Sequence, residues 1–286
     1  MHPLSRVPNP FIVGVIVEDA PSQVVPAVEG VAREGCDAAE INLTALPTVG
    51  TIPWSREALT TLPIPIYTSA RRCEFMTAYG LAVDDLPIVD DTARMAWQTE
   101  ALGRGSVAID MELDTFAPDP SPAPGTAAAA ALAATCDRAR ELTHDPGAVA
   151  SQRALIAEVH ARGGEVIASC HTGTRQSAED LIGIVAVATE RGADRVKVVA
   201  PCPTIDDLLE LFRATARLYE VTPTPFTLVG TDACGSLSRF VGPHLGSGWV
   251  FARPSEGRWV FADQPTASEL ELVLSAIRWR YAEVER

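Results

Sequence analysis

The sequence contains almost no lysine. Lysine and arginine together number 23 in 286 residues, and 22 of them are arginines, so Lys197 is the only lysine of the chain. Arginine can replace lysine as a surface cation, but it stays protonated and does not form imines. A lone lysine inside an apolar, β-branched segment therefore indicates amine chemistry. The alternative is the chance survival of an unimportant lysine, which would more often lie on a helix surface.

Basic charge, long apolar runs and cysteine pairs are also missing. A net charge of −14 and a pI near 4.8 argue against binding to nucleic acid or to an anionic membrane. No apolar run reaches the roughly 18 residues that a transmembrane helix needs, and the first apolar segment is expected to be a strand and not a signal peptide. The six cysteines form no CxxC pair, which favours reduced, buried thiols in a cytosolic protein.

Apolar, β-branched segments recur along the chain and predict eight β-strands. Between most of them lie segments with apolar residues at three- and four-residue spacing, which is typical of helices. Eight strands that alternate with helices favour parallel pairing and a (β/α)8 TIM barrel. The predicted strands are residues 11–17, 39–43, 64–68, 107–113, 165–171, 195–200, 225–229 and 248–252, and the predicted helices are residues 22–33, 177–191, 205–219 and 268–283.

A Pro- and Ala-rich segment interrupts this rhythm at about residues 115–147. Prolines recur at every second position from 118 to 124, and an alanine-rich run follows. The segment is too poor in large apolar residues to form a core of its own. We therefore predict one barrel domain over residues 1–286, with this segment as an insertion.

The carboxyl ends of the strands are where a parallel barrel carries its reactive side chains. Alternation puts Lys197 and Val199 on one face of strand six, and we expect that face to point into the barrel, since a lysine under the helix layer would be unfavourable. There, burial and neighbouring arginines would lower the lysine pKa. His171 ends the preceding strand, about 4.8 Å away, and an imidazole beside an imine can move protons at neutral pH.

Two acidic residues, Asp110 and Glu112, lie two positions apart on strand four and share a face. Together with His171 they could bind a divalent metal ion. They could equally hold Lys197 or His171 in place. The second interpretation is favoured, because no further histidine or carboxylate joins the cluster.

Several segments resemble type I 3-dehydroquinate dehydratases. Residues 192–198, GADRVKV, resemble the family's GADIVKIA, and residues 166–171, VIASCH, resemble the VI-x-S-Y-H strand that supplies the catalytic histidine. Residues 109–113, IDMEL, resemble IDLEL, and residues 235–247 are similar to the G-x-I-S-R…FGS block. The resemblance implies a barrel with an imine on Lys197, acid/base catalysis by His171, orientation of that histidine by Glu74, and no metal or organic cofactor.

The same resemblance implies a small-molecule carboxylate as the substrate, in a cytoplasmic homodimer of the shikimate pathway. The implied substrate-binding residues are Glu40, Asn42, Arg71, Arg239 and Gln264. Arg239 matches the arginine that binds the substrate carboxylate in the family. The leading prediction is dehydration of 3-dehydroquinate or a related cyclic 3-hydroxy-ketone acid.

Departures from the family pattern are concentrated in the substrate pocket. Asn42 stands where the family has a carboxylate-binding arginine, and Ala70 stands at a second arginine position, followed by Arg71 and Arg72. Val260 replaces a serine in the closing loop. These departures leave open whether Arg71 or Arg72 takes over the missing role. They also leave open a class I aldolase or cyclase using the same imine, a catalytically silent barrel, and a metal-dependent lyase.

Overall fold

The computed structural model describes residues 2–47, 50–72, 75–76, 89–122, 127–128, 131, 141–255 and 264–277. Strands and helices alternate along these residues. The strands are β1 Phe11–Ile16, β2 Ala38–Asn42, β3 Ile66–Ser69, β4 Ala108–Glu112, β5 Glu165–His171, β6 Arg195–Pro201, β7 Phe226–Thr231 and β8 Trp249–Ala252. They form one sheet in the order β7-β6-β5-β4-β3-β2-β1-β8. This is the (β/α)8 TIM-barrel fold, so the predicted fold class is confirmed.

The helices follow the strands in the expected alternation. They are α1 Val24–Arg33, α2 Arg56–Thr60, α3 Asp91–Gly103, α4 Pro146–Ala161, α5 Ala178–Arg191, α6 Ile205–Val221, α7 Asp232–Gly235, α8 Ser238–Leu245 and α9 Ala267–Ala276. All eight predicted strands are present, with ends within two residues of those expected. Five helices were not predicted, namely α2, α3, α4, α7 and α8. The last predicted helix, residues 268–283, matches α9 up to residue 276, and positions 278–283 lie outside the described residues.

Four cysteines fall within the described ranges, and all four are free thiols. Burial raises the pKa of the Cys36 and Cys202 thiols to about 12, so both stay protonated near neutral pH. Over the same ranges, none of the helices combines the length and the apolar character that a membrane crossing requires.

The chain divides into two compact units. The first comprises Met1–Met111, Ala157–Val166 and Phe251–Glu269, and the second comprises Glu112–Ile156, Ile167–Val250 and Leu270–Arg286. In the first unit β1, β2 and β3 pair in parallel. Gly14 of β1 lies directly under Val31 of α1, where a Cβ atom would come within 2.6 Å of the valine side chain. A glycine there lets the helix pack closely on the strand.

In the second unit β5, β6 and β7 pair in parallel and pack under two helices. Val196 and Val198 of β6 belong to one apolar cluster with side chains from α5 and α6, among them Leu181 and Leu211. Both helices begin with a capping box, at Ser177 and at Thr204, which satisfies amide donors of the first turn. The helix layer therefore covers one face of these strands, and the alternate residues lie on the other.

Candidate active site

Lys197 lies near the middle of β6 and is buried, with 6% of its surface exposed. In the parallel register it lies between Ser169 of β5 and Thr227 of β7. Because Val196 and Val198 pack under the helices, alternation directs Lys197 to the opposite face. This agrees with the orientation expected from the sequence.

His171 ends β5 on that same face. Ser169 pairs with Lys197 and His171 pairs with Val199, so the histidine lies two residues, about 6.6 Å, further toward the carboxyl end of the sheet. Its side chain is 28% exposed. The ring Nδ1 lies 2.7 Å from Oε2 of Glu141, and the same oxygen accepts a hydrogen bond from the backbone N of His171 at 2.9 Å. One ring nitrogen, Nδ1, is thus engaged by a carboxylate.

The two carboxylates of β4 are both buried. Oε2 of Glu112 accepts a hydrogen bond from Oγ1 of Thr115 at 3.4 Å. The backbone of Asp110 is held by Gln98 of α3, which accepts from the amide N at 3.0 Å and donates to the carbonyl O at 2.8 Å. Among the residues that can be described, no three or more His, Cys, Asp or Glu side chains are arranged to hold a metal ion. The metal site considered for Asp110, Glu112 and His171 therefore gains no support.

Arg239 lies in the first turn of α8 and is buried. The short helix α7 lies between β7 and this helix. It packs so closely on the strand that a Cβ on Gly235 would lie 2.3 Å from the carbonyl carbon of Gly230. Oγ of Ser238 accepts a hydrogen bond from the N of Gly230 at 2.8 Å. These contacts hold the start of α8 against the end of β7, in the same unit as Lys197.

Glu40 and Asn42 lie on β2, in the first unit. Oε2 of Glu40 accepts a hydrogen bond from the hydroxyl of Tyr67 at 2.8 Å. Oδ1 of Asn42 accepts from the N of Thr44 at 3.1 Å and caps the short 3-10 helix that follows β2, and its Nδ2 donates to Sδ of Met76 at 3.5 Å. Both polar atoms of Asn42 have partners within the unit, so this amide also stabilises the end of the strand.

The two arginines after β3 have different partners. Arg72 forms a two-pronged ion pair with Asp91 of α3, with Nε to Oδ1 at 3.1 Å and Nη2 to Oδ2 at 2.9 Å. Arg71 is buried, and its guanidinium carbon lies 5.0 Å from the centroid of the Phe75 ring. The guanidinium of Arg72 is therefore held by Asp91 of α3, and Arg71 is the better candidate for a substrate contact.

Gln264 is buried, and within the described part of the chain its Nε2 has no hydrogen-bond partner. A buried amide donor without an acceptor costs roughly 1–3 kcal/mol, so the position suits a donor to a bound ligand. Glu74, predicted to orient His171, and Val260, at the family's serine position, both lie outside the described residues.

Comparison with known families tests the resemblance directly. A sequence model of the family described as type I 3-dehydroquinase matches residues 12–279. The chain belongs to the type I 3-dehydroquinase family. Because this family consists of dehydratases, which are lyases, family membership implies that the protein is a lyase. No curated protein matches the chain.

Solved 3-dehydroquinate dehydratases share the fold of this type I 3-dehydroquinase family member. The type I enzyme from Clostridium difficile, with covalently modified comenic acid, has a TM-score of 0.71 at 18% identity, over 94% of this chain and 92% of its own. The enzyme from Geobacillus kaustophilus HTA426 has a TM-score of 0.69 at 16% identity, over 93% and 90%. The enzyme from Enterococcus faecalis has a TM-score of 0.68 at 18% identity, over 94% and 95%. The TM-scores establish a common fold. The low identities mark this chain as a divergent member of the family.

Two residues of this family member's candidate site, Glu141 and Tyr67, were missed by the sequence analysis. Glu141 lies near the end of the Pro- and Ala-rich insertion, where no strand pattern marks its place. Tyr67 could have been found, since it lies in the predicted strand at residues 64–68, three positions before Ala70. It pairs in register with Glu40, which places the two side chains on the same face.

Proposed function

We propose that the protein is a Schiff-base-forming dehydratase for 3-dehydroquinate or a related cyclic 3-hydroxy-ketone acid. Lys197 is the imine-forming amine and His171 the general acid/base. The observation that carries the proposal is the position of the only lysine, buried on β6 beside the strand that ends in His171. Burial disfavours the charged ammonium form of Lys197. Arg195 is buried two residues earlier on the same face, and its positive charge repels a positive charge on Lys197. Both effects favour a neutral, nucleophilic amine.

The reaction begins when Nζ of Lys197 adds to the substrate ketone and the resulting carbinolamine loses water to give a protonated imine. The positive iminium withdraws electrons from the neighbouring carbon, and Nε2 of His171 removes a proton from that carbon, forming an enamine. The enamine electron pair then expels the β-hydroxyl, which leaves as water with the proton that His171 returns. Hydrolysis of the conjugated imine consumes one water and frees both the product and the amine, so the net change is the loss of one water.

Substrate binding is assigned to groups that suit an anionic ring. The guanidinium of Arg239 can form two parallel hydrogen bonds with a carboxylate. Nε2 of Gln264 supplies a buried donor. Glu40, Asn42 and Arg71 are proposed as further contacts, from their positions in the family motifs. The proposal also includes a homodimer and a cytoplasmic location, both taken from the family, and light scattering in solution tests the first.

A second candidate is an aldolase or cyclase that uses the same imine for carbon–carbon chemistry. It is favoured by one observation, the change from arginine to Asn42 together with the hydrogen bonds that tie this amide to Thr44 and Met76. Loss of a bidentate cation removes a strong carboxylate contact, which suits a different substrate. The lysine and the histidine serve both reactions equally well.

The test is a turnover assay with 3-dehydroquinate and a panel of cyclic 3-hydroxy-ketone acids. Products are followed by mass spectrometry and by the absorbance of the conjugated ketone. Dehydration by the unmodified protein, resistant to chelators and absent in Lys197→Arg, is the expected result. Carbon–carbon products would favour the second candidate. Appreciable turnover by Lys197→Arg would overturn the imine mechanism, since arginine keeps the charge without the nucleophile.

A further inference from the structure

The insertion that interrupts the barrel pattern ends beside the candidate acid/base residue. We infer that Glu141, supplied by this insertion, is a positioning residue for His171 that keeps a proton on Nδ1 and presents Nε2 to the substrate. The inference deepens the proposed function and rests on it. It also gives the insertion, at about residues 115–147, a role in catalysis that its composition does not suggest.

The geometry of the contact fixes the imidazole in two ways. A single carboxylate oxygen, Oε2 of Glu141, lies 2.7 Å from the ring Nδ1 and 2.9 Å from the backbone N of His171. An ionised carboxylate can only accept hydrogen bonds, so Nδ1 must carry the proton in this contact. Binding the ring and the backbone of one residue to the same atom also restricts rotation of the side chain.

Glu141 and His171 differ in their exposure to solvent, and the difference suits catalysis. The carboxylate side chain of Glu141 is 0% exposed, while the side chain of His171 is 28% exposed. The ring can therefore be reached from one side while its partner is withdrawn from water. A carboxylate in such surroundings interacts strongly with an imidazolium, because little solvent screens the pair. Glu141 should then stabilise the protonated histidine that forms when Nε2 takes a proton from the substrate.

The backbone around Glu141 is fixed to the end of β4. Leu142 forms a parallel bridge with Leu113, and the N of Thr143 donates to the carbonyl of Leu113 at 3.2 Å. The N of Leu113 in turn donates to the carbonyl of Ser169 on β5 at 2.8 Å. One isolated bridge and these backbone hydrogen bonds thus hold the last residues of the insertion beside Leu113, which directly follows β4 and is itself bonded to β5.

Two buried polar side chains hold this segment from the helix side. Arg191 of α5 donates through Nη1 to the carbonyl of Leu113 at 3.0 Å and to Oε1 of Gln152 at 2.7 Å, and through Nη2 to the carbonyl of Thr143. Nε2 of Gln152 donates to the carbonyls of Leu113 at 3.1 Å and Thr115 at 2.8 Å. The guanidinium of Arg191 thus joins Leu113, at the end of β4, to Thr143 of the insertion. The backbone two residues before Thr143, which carries Glu141, is therefore restricted in its movement.

The first test uses the unmodified protein and needs no activity. Nitrogen NMR of isotope-labelled imidazoles reports which ring nitrogen of His171 carries the proton above its pKa. The expected result is a proton on Nδ1. A neutral ring with its proton on Nε2 would overturn the inference.

The second test removes the charge with Glu141→Gln, which keeps the size and the acceptor oxygen. Loss of a close negative charge is expected to lower the pKa of His171 by about one to two units, with kcat reduced, KM little changed, and the limb of the pH–rate profile due to His171 shifted by the same amount. Glu179→Gln is the matched control, since Glu179 lies exposed on α5 in an ion pair with Arg217. It should leave the pKa of His171 unchanged.

The outcomes separate this inference from the proposed function. An unchanged pKa of His171 in a folded Glu141→Gln variant would refute the positioning role, even if imine formation on Lys197 is normal. Coupling between Glu141 and His171 in a protein that forms no imine would instead refute the proposed function. If the variant does not fold, the NMR measurement on the unmodified protein still decides the matter.

Discussion

Replacing Asp91 with asparagine is expected to lower the free energy of unfolding by about 2 kcal/mol at neutral pH. Asp91 accepts hydrogen bonds from both Arg72 and Arg94, and Arg94 also donates to the carbonyl of Ala70, next to Arg71. Burial alone would raise the pKa of Asp91, but the hydrogen bonds and charges of the two arginines outweigh it and lower the pKa from 3.8 to about 2.

The size of the effect follows from that shift. A difference of about 1.8 units corresponds to roughly 2.4 kcal/mol at about 1.36 kcal/mol per unit, and the 16% exposure of the Asp91 side chain reduces it somewhat through solvent screening. Because the folded-state pKa lies below the unfolded one, this stabilisation is fully present above pH 3.8 and is lost as the pH falls through the folded-state pKa.

Denaturant unfolding of the unmodified protein and of Asp91→Asn, between pH 7 and pH 2.5, measures the difference. It should shrink as the pH falls. Glu100→Gln is the control in the same helix, since the pair of Glu100 with Arg104 is half exposed on both sides and should contribute less than about 0.5 kcal/mol. A difference for Asp91→Asn no larger than the control, or one independent of pH, would show that the ionised Asp91 does not stabilise the fold through its two arginines.

Three further substitutions test individual residues of the site. His171→Ala should still form the imine but turn it over about 10²–10⁴-fold more slowly, and a variant that forms no imine would make the histidine structural. Asn42→Arg should improve kcat/KM for 3-dehydroquinate by about 10- to 100-fold, since a hydrogen bond to a charged group contributes roughly 1.5–3 kcal/mol. Efficient dehydration by the unmodified protein, worsened by Asn42→Arg, would show that Arg71 already fills that role. Gln264→Ala should raise KM with little change in unfolding free energy, and a stability loss above about 1 kcal/mol would indicate a structural amide instead.

Strand positions were predictable because each buried strand appears in the sequence as a short run of apolar, β-branched residues. β5 and β6 read as short apolar runs, and alternation alone gave the direction of Lys197. Helix α3 was missed for the opposite reason. Its buried face includes Arg94, Gln98 and Thr99. Arg94 and Gln98 donate to the distant carbonyls of Ala70 and Asp110, and Thr99 donates to the carbonyl of Met95 in the same helix. Because these polar side chains are buried, no apolar period appears.

The partner of His171 could not be predicted from the sequence for a related reason. Glu141 acquires its role only when residues 141–143 pair with the end of β4, and that pairing depends on the buried contacts of Arg191 and Gln152 with backbone carbonyls. Such contacts join positions 37 to 78 apart in the chain and follow no local pattern. The family motif directed attention to Glu74, since a motif carries no information about an insertion that it does not contain.

Borohydride trapping tests whether Lys197 forms the imine. The protein is incubated with substrate and sodium borohydride, digested, and the modified peptide is sequenced by mass spectrometry. Because Lys197 is the only lysine, the backbone amino terminus is the only other primary amine, and peptide mapping separates the two. The imine mechanism predicts a reduced substrate adduct on Lys197, formed also by His171→Ala and absent from Lys197→Arg. Turnover of the substrate without an adduct on Lys197 would contradict it.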